Sequence, residues 1–306
     1  MDDAEQPPEE GPLPLTSDLT YDEFQPLSSS VKAEFAACSH PGGRRTNEDH
    51  YLILRLGRHQ EILLTSLPEA EAPARFDEAG YGMVVADGMG AGGSGEIASR
   101  LAIATLAQLM LHFGKWNLRI DPRTADDIMA RARRFYRRVD ETVTDSALVD
   151  PELSGMGTTL TAAVSAGDAL FTAHVGHSRA YLFRNGQLTQ LTRDQTSAQR
   201  LNDAGRSTPM ELAAHDLQHL LTDAIGGHAP GASVQIGHYK LAHNDSVLLC
   251  TNGLTDVVDD HSITAILGQP RGLGEQCQVL VDEALARGGA DNVTAVLAKY
   301  NFPDGS

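Results

Sequence analysis

No stretch of this 306-residue sequence is apolar for long enough to cross a bilayer. The strongest run, LAIATLAQLMLHF at 101–113, stops short of the length required. The acidic N-terminus has no charged-then-apolar signal pattern, so the expectation is a cytoplasmic protein that does not engage a membrane. Cysteine is scarce. Cys38, Cys250 and Cys277 are far apart and odd in number, with no CxxC pair, which excludes a disulfide framework and a thiolate zinc site. Cys250, inside VLLCT, reads as a buried apolar thiol. Positive charge is also short: 24 Lys and Arg stand against 41 Asp and Glu, a formal net charge of −17. A nucleic-acid binder needs a basic face to replace counterions, so nucleic acid is excluded as a partner.

What is present is unevenly distributed. Residues 1–30 carry eight acids, five prolines and no Lys or Arg, a composition that cannot repay the entropy of ordering and reads as a flexible acidic tail. From Val31 onward the pattern is globular, and no solenoid repeat is visible. Strand-like runs fall at VKAEFAACSH, HYLILRL, YGMVVAD, TLTAAVSAG, ALFTAHVG, AYLFRNGQLTQL, VQIGHYKLA, DSVLLCT and NVTAVLAKY. Several are joined by hairpin chemistry, as at Gly167-Asp168 and Asn185-Gly186. Three helices are expected. The first spans about 96–112 and is apolar nearly all round, so it should be buried. The second covers about 125–142, opens on a Thr124/Asp127 capping box, and lines Ile128, Ala132, Phe135, Val139 and Val143 along one stripe. Its Arg131, Arg134 and Arg138 face reads as solvated rather than as a dock for an acidic partner. The third covers about 275–287, stopped by Gly288-Gly289. Hairpins, then helices, then more hairpins indicate α+β with antiparallel sheets.

Gly88 to Gly93 matches G-x-G-x-x-G literally, yet no second strand ending in an acid follows, and Asp87 would set a carboxylate beside a pyrophosphate. Dinucleotide binding is rejected, and the glycines are read as close backbone approach to something held at Asp87. Acids recur in glycine-rich turns at strand ends: Glu48 and Asp49, Asp87, and Asp291. Each alone is an ordinary turn residue. Together they supply the several oxygen ligands that hard divalent cations require.

Six segments in order carry a resemblance. They are RxxNED (Arg44 to Asp49), VVADGMGAGG (Val84 to Gly93), GMGTTLTAAV (Gly155 to Val164), HVGHSRAYLFRNGQLTQLTRDQT (His174 to Thr196), LLCTNGLTDVV (Leu248 to Val258) and GGADNVTAV (Gly288 to Val296). From Gly43 to Lys299 the chain resembles the bacterial branch of the metal-dependent Ser/Thr protein phosphatases, the PPM or type 2C family. The resemblance implies a four-layer α-β-β-α sandwich with two antiparallel sheets and the metal site at one end. The phosphatase domain would span 31–300, with a flap at about 197–217 and a C-terminal tail at 301–306. It implies two Mn²⁺ or Mg²⁺ ions, bridged by Asp87, with Gly88 offering its carbonyl, Glu48 and Asp49 serving one ion, and Asp291 and Asn252 the other. Arg44 would grip the phosphate. Phosphoserine or phosphothreonine in proteins, products of a Ser/Thr kinase, would be hydrolysed by a metal-bridging water, with the protein acting as a monomer.

Two positions depart from the family. His177 stands where Gly-Asp-Ser-Arg is usual, and Asn252 where Ser-Asp-Gly is usual; in the family fold these are neighbours at a third metal site. The departures read in three ways. They are drift, or a third site at His177 and Asn252 remodelled toward a softer ion, or a metal centre degenerate enough to give a pseudophosphatase that binds phosphoprotein and regulates. Met89 occupies a position where other members hold a general-acid His, so water on a metal would supply the leaving-group proton. His215 and His219 share a helical spacing but are read as surface residues of the flap, not a zinc site.

Overall fold

The structure is a computed structural model that describes residues 31–68, 76–115, 120–205, 217, 219–227 and 231–303. The acidic tail expected at 1–30, His215 and residues 206–216 of the expected flap lie outside the described residues.

In chain order the strands are β1 (Lys32–His40), β2 (Asp49–Gln60), β3 (Phe76–Met89), β4 (Gly157–Thr158), β5 (Leu160–Ala166), β6 (Ala169–Val175), β7 (Arg179–Arg184), β8 (Gln187–Gln190), β9 (Ile225–Gly226), β10 (Gln235–Lys240), β11 (Ser246–Cys250) and β12 (Val293–Asn301). The helices are α1 (Ser94–Phe113), α2 (Pro122–Val149), α3 (Ser197–Asp203), α4 (Asn252–Thr255), α5 (Asp260–Leu267) and α6 (Leu273–Ala286). One sheet runs β1-β12-β11-β7-β8. The other runs β10-β6-β5-β3-β4-β9, with β2 also paired to β3. All pairings are antiparallel.

Three apolar layers hold these elements together. Between the sheets, Met83 and Val85 of β3 and Leu170 of β6 meet Val247 and Leu249 of β11 and Val296 of β12. On the outer face of one sheet, Ile263 of α5 and Leu280 and Val281 of α6 cover Leu248, Cys250 and Leu297. On the other, Ala98, Ala102 and Leu106 of α1 and Tyr136, Val139 and Val143 of α2 cover Val84, Leu160 and Ala162. The result is the α-β-β-α sandwich. Strand residues therefore serve two cores on alternate sides, as a period of two requires. Cys250 is buried, as a small hydrophobe.

The hairpins form where turn chemistry asks for them. Arg184 pairs with Gln187 across Asn185-Gly186, whose positive φ values of 51° and 78° give the twist that a two-residue hairpin needs. Two helices and the last strand differ from expectation. Helix α2 is longer at both ends and is capped by Asp121, whose carboxylate accepts from the Thr124 amide at 2.7 Å, so the cap lies three residues before the expected box. Helix α1 is buried along one face only, and Leu111 and Phe113 in its last turn are exposed. Finally, β12 continues to Asn301, which pairs with Lys32, and Phe302 is buried, so the expected C-terminal tail begins later. The Arg134 and Arg138 face of α2 is solvated, with Arg138 bonded to Glu141.

Candidate metal centre

Asp49 begins β2 and Asp87 lies near the end of β3, and the two stand directly opposite in the strand register. Cross-strand partners bring their Cβ atoms within about 5 Å, and like charges so placed repel. The sequence holds this pair in position with hydroxyls. Asp49 Oδ2 accepts from Thr251 Oγ1 at 2.8 Å and Thr294 Oγ1 at 2.7 Å. Its Oδ1 is buried with no hydrogen-bond donor. Around Asp87 the backbone is fixed by threonines: its amide donates to Thr159 Oγ1 at 2.9 Å, and Thr158 Oγ1 donates to its carbonyl at 2.9 Å.

Electrostatics follow from this geometry. Burial, with Asp291 nearby, pushes the Asp49 carboxyl up to about 7 against the hydrogen bonds from Thr294 and Thr251. Asp87 is pushed well above the usual carboxylate range by burial and by the charges of Asp49, Asp291, Asp256 and Glu48. Glu48 is raised as well, chiefly by burial. Carboxylates gathered at such cost at one end of the sheets want a compensating cation.

Two further residues complete the acidic rim. Asp291 precedes β12 and is gripped by Arg44, with Nε to Oδ1 and Nη2 to Oδ2 both at 3.0 Å. Glu48 is set by Asn292, whose Oδ1 accepts the Glu48 amide at 2.8 Å while its Nδ2 bonds the carbonyls of Pro41 and Thr46. Asn292 thus staples the 41–48 loop to the start of β12. A cleft of about 390 Å³ is lined by Arg44, Glu48, Asp87, Gly88, His177, His219, Asn252 and Asp291 among others.

Two glycines around the end of β3 are required by packing. A Cβ on Gly88 would overlap the Gly95 carbonyl, and one on Gly95 would overlap Glu48 Oε2 and the Gly88 backbone. These glycines let the first turn of α1 press against the end of β3, backbone to backbone.

Asn252 begins α4 and its Nδ2 donates to Asp256 Oδ2 at 2.9 Å. His177 Nε2 lies 3.3 Å from Asp194 Oδ2, and Asp194 is clamped by Arg179 with Nη2 to Oδ2 at 2.6 Å. His219 faces inward: its Nδ1 is 3.7 Å from Asp256 Oδ2 and its ring centroid is 6.1 Å from that of His177. The expectation of a surface histidine fails at this position, because the chain after α3 folds back and Ser197 bonds the Leu220 carbonyl at 2.8 Å. Sequence reasoning missed Thr251, Thr294, Thr159, Asn292, Asp194 and Asp256. All but Thr251 and Thr294 carried a faint signal, a polar side chain inside a glycine-flanked or turn motif.

The fold and the acidic cleft at the end of its sheets define the class, an α+β sandwich of the architecture found in bacterial PPM phosphatases. A family profile described as protein phosphatase 2C matches residues 72–287, and the chain belongs to that family. The chain is 38% identical over 216 residues to the serine/threonine protein phosphatase PstP of Mycobacterium tuberculosis, covering 71% of this chain and 40% of that protein. It therefore spans about two fifths of the length of those mycobacterial relatives. It is 32% identical over 222 residues to the serine/threonine phosphatase stp of Listeria monocytogenes, covering 72% and 84% of the two chains. The crystal structure of the PstP catalytic domain in complex with two manganese ions superposes with a TM-score of 0.67 at 33% identity, covering 89% of this chain and all of that one.

Proposed function

We propose that this protein hydrolyses phosphoserine and phosphothreonine in proteins phosphorylated by a Ser/Thr kinase, using two Mn²⁺ or Mg²⁺ ions. The observation that carries the reading is the cross-strand pair Asp49 and Asp87, buried together, with one Asp49 oxygen lacking any donor. The candidate ligands, Glu48, Asp49, Asp87, the Gly88 carbonyl, Asn252 and Asp291, all offer oxygen, which suits hard cations. Glu48, Asp49, Asp87 and the Gly88 carbonyl would hold one ion; Asp87, Asp291 and Asn252 would hold the other. When bound, such ions lower the pKa of a coordinated water and neutralise phosphoryl oxygens.

The residues of the chain supply the remainder. Thr251 and Thr294 hold one oxygen of Asp49, leaving its second, buried oxygen without a protein donor. Asp291 is shared: in this state its carboxylate neutralises Arg44, and engagement of Asp291 by a cation would release the guanidinium for a bidentate grip on substrate phosphate. Asn292 keeps the Arg44 loop seated while this exchange occurs. The dominant contribution would be positioning and charge stabilisation, since phosphoryl transfer asks for little else from a protein.

The test is a metal-by-metal assay of aryl phosphate hydrolysis on the wild type, Asp87→Ala and Asn252→Asp. Manganese-dependent turnover, lost in Asp87→Ala, is expected. A wild type inactive with Mn²⁺, Mg²⁺ and Zn²⁺, and activity gained in Asn252→Asp, would instead identify a phosphoprotein-binding regulator.

A further inference from the structure

The geometry points to a small-molecule site in the cavity between α1, α2 and the sheet beneath them. Its ligand is a compact amphipathic anion, one apolar ring on a short linker that ends in a carboxylate. The cavity has a volume of about 170 Å³ and is open beside the exposed Gly114 and Lys115, where the chain leaves α1. It shares no lining residue with the acidic cleft. Gly80 and Ala166, partners in the register of β3 and β5, mark its position toward the end of β3 away from Asp87.

The apolar part of the ligand follows from small side chains on the sheet. Gly80, Ala162 and Ala173 are too short to fill the space beneath Met110, Ile128 and Phe135 of the two helices. Atoms lining such a gap lack dispersion partners, and an apolar guest restores them. A cavity of about 150 Å³ with a similar lining takes benzene, whereas drug-sized ligands occupy about 300–1,000 Å³. One ring with a short linker is therefore the size that fits.

Arg131 sets the charge. Unlike Arg134 and Arg138 on the same helix it is half-buried, and it lines the cavity. Its one hydrogen bond among the described residues is long, 3.5 Å from Nη1 to the Lys115 carbonyl. Arg138 has Glu141 as an ion-pair partner, whereas no described carboxylate lies within 4 Å of Arg131. Burial and the charge of Arg134 push the Arg131 guanidinium below its ordinary value, with only Asp127 opposing. In a chain of net charge −17, the cavity is thus lined by Arg131 and Lys115 and, among the described residues, by no acid. A carboxylate matches this setting, because it accepts both arms of a guanidinium fork. The site is independent of the acidic centre and of the chemistry proposed there.

Calorimetric titration of the full chain at low salt tests this with hydrocinnamate, a phenyl ring and two methylenes ending in a carboxylate, and with its neutral amide. Each is run once in EDTA and once with Mn²⁺. Hydrocinnamate should bind at one site per chain, about tenfold or more tighter than the amide, and equally with and without metal. Arg131→Gln should bring its affinity down to that of the amide and leave the amide unaffected. Ala132→Leu fills the cavity from α2 and should remove binding of both while the melting temperature holds or rises. Ala166→Val serves the same end if that variant melts early. No binding of hydrocinnamate at millimolar concentration would overturn the proposal, as would equal affinity for acid and amide or undiminished binding by Arg131→Gln. Binding that appears only with Mn²⁺ would place the carboxylate at the acidic centre and overturn it as well.

Discussion

Replacing Asp49 with asparagine should make the metal-free protein more stable at pH 8, although it removes a residue at the heart of the site. The side chain is 5% exposed, its Oδ2 is satisfied by two threonine hydroxyls, and its Oδ1 has no donor and stands across from Asp87. Its carboxyl is pushed from 3.8 up to about 7 by burial and neighbouring acids. The folded chain therefore holds this proton more tightly than the unfolded chain. Stability from the neutral form is complete below pH 3.8, falls as the pH rises, and is gone above about 7. At 1.36 kcal/mol per pH unit this gap corresponds to a ceiling of about 4 kcal/mol at pH 8. The raised Asp87 carboxyl acts in the same direction. Asparagine keeps an acceptor for Thr251 and Thr294 and presents an amide donor toward Asp87, so a gain of about 2 kcal/mol is expected. Urea unfolding with EDTA at pH 5 and pH 8 measures it. The wild type should be less stable at pH 8 than at pH 5, and Asp49→Asn should flatten that slope. With Mn²⁺ the order should reverse, because only the wild type gains binding energy from the ion. A variant that is less stable than wild type at pH 8 without metal would refute the electrostatic account of this pair.

Arg44→Ala should raise KM for a phosphorylated substrate about tenfold or more while changing kcat less, since a charge-assisted contact to a bound phosphate is worth about 2 kcal/mol; steady-state kinetics at saturating Mn²⁺ decide it. Thr251→Val preserves shape but removes a hydroxyl from Asp49, and calorimetric Mn²⁺ titration should show affinity weakened by about 10- to 100-fold. Asp140→Ala should cost about 2–3 kcal/mol in urea unfolding, because its buried carboxylate accepts the amides of Gly226 and Gly231, and their loss leaves donors unpaired.

The sequence made the sandwich legible because its strands alternate, its hairpins use Gly167-Asp168 and Asn185-Gly186, and ordered motifs resemble one family. The acidic residues were legible for the same reason: Glu48, Asp49, Asp87 and Asp291 sit beside glycines at strand ends. What escaped was whatever depends on distant segments meeting. Thr251 and Thr294 look like ordinary strand-end residues until β11 and β12 bring both to Asp49, over two hundred positions away in sequence. His219 read as a surface residue of the flap because two histidines without a third ligand usually are, whereas the pairing of 196–197 with 220–221 sets it, half-buried, on the cleft wall. The cap of α2 was misplaced because Thr124 and Asp127 imitate a capping box, while Asp121 before Pro122 supplies the better acceptor.

The most direct test of the acidic cleft as a two-metal phosphatase centre is the rate of phosphate release from a phosphothreonine peptide by EDTA-treated protein as Mn²⁺ is restored. Release should be absent without metal, return with two bound ions per chain in the wild type, and stay absent in Asp87→Ala. Equal release with and without metal, or full release from Asp87→Ala, would contradict the account.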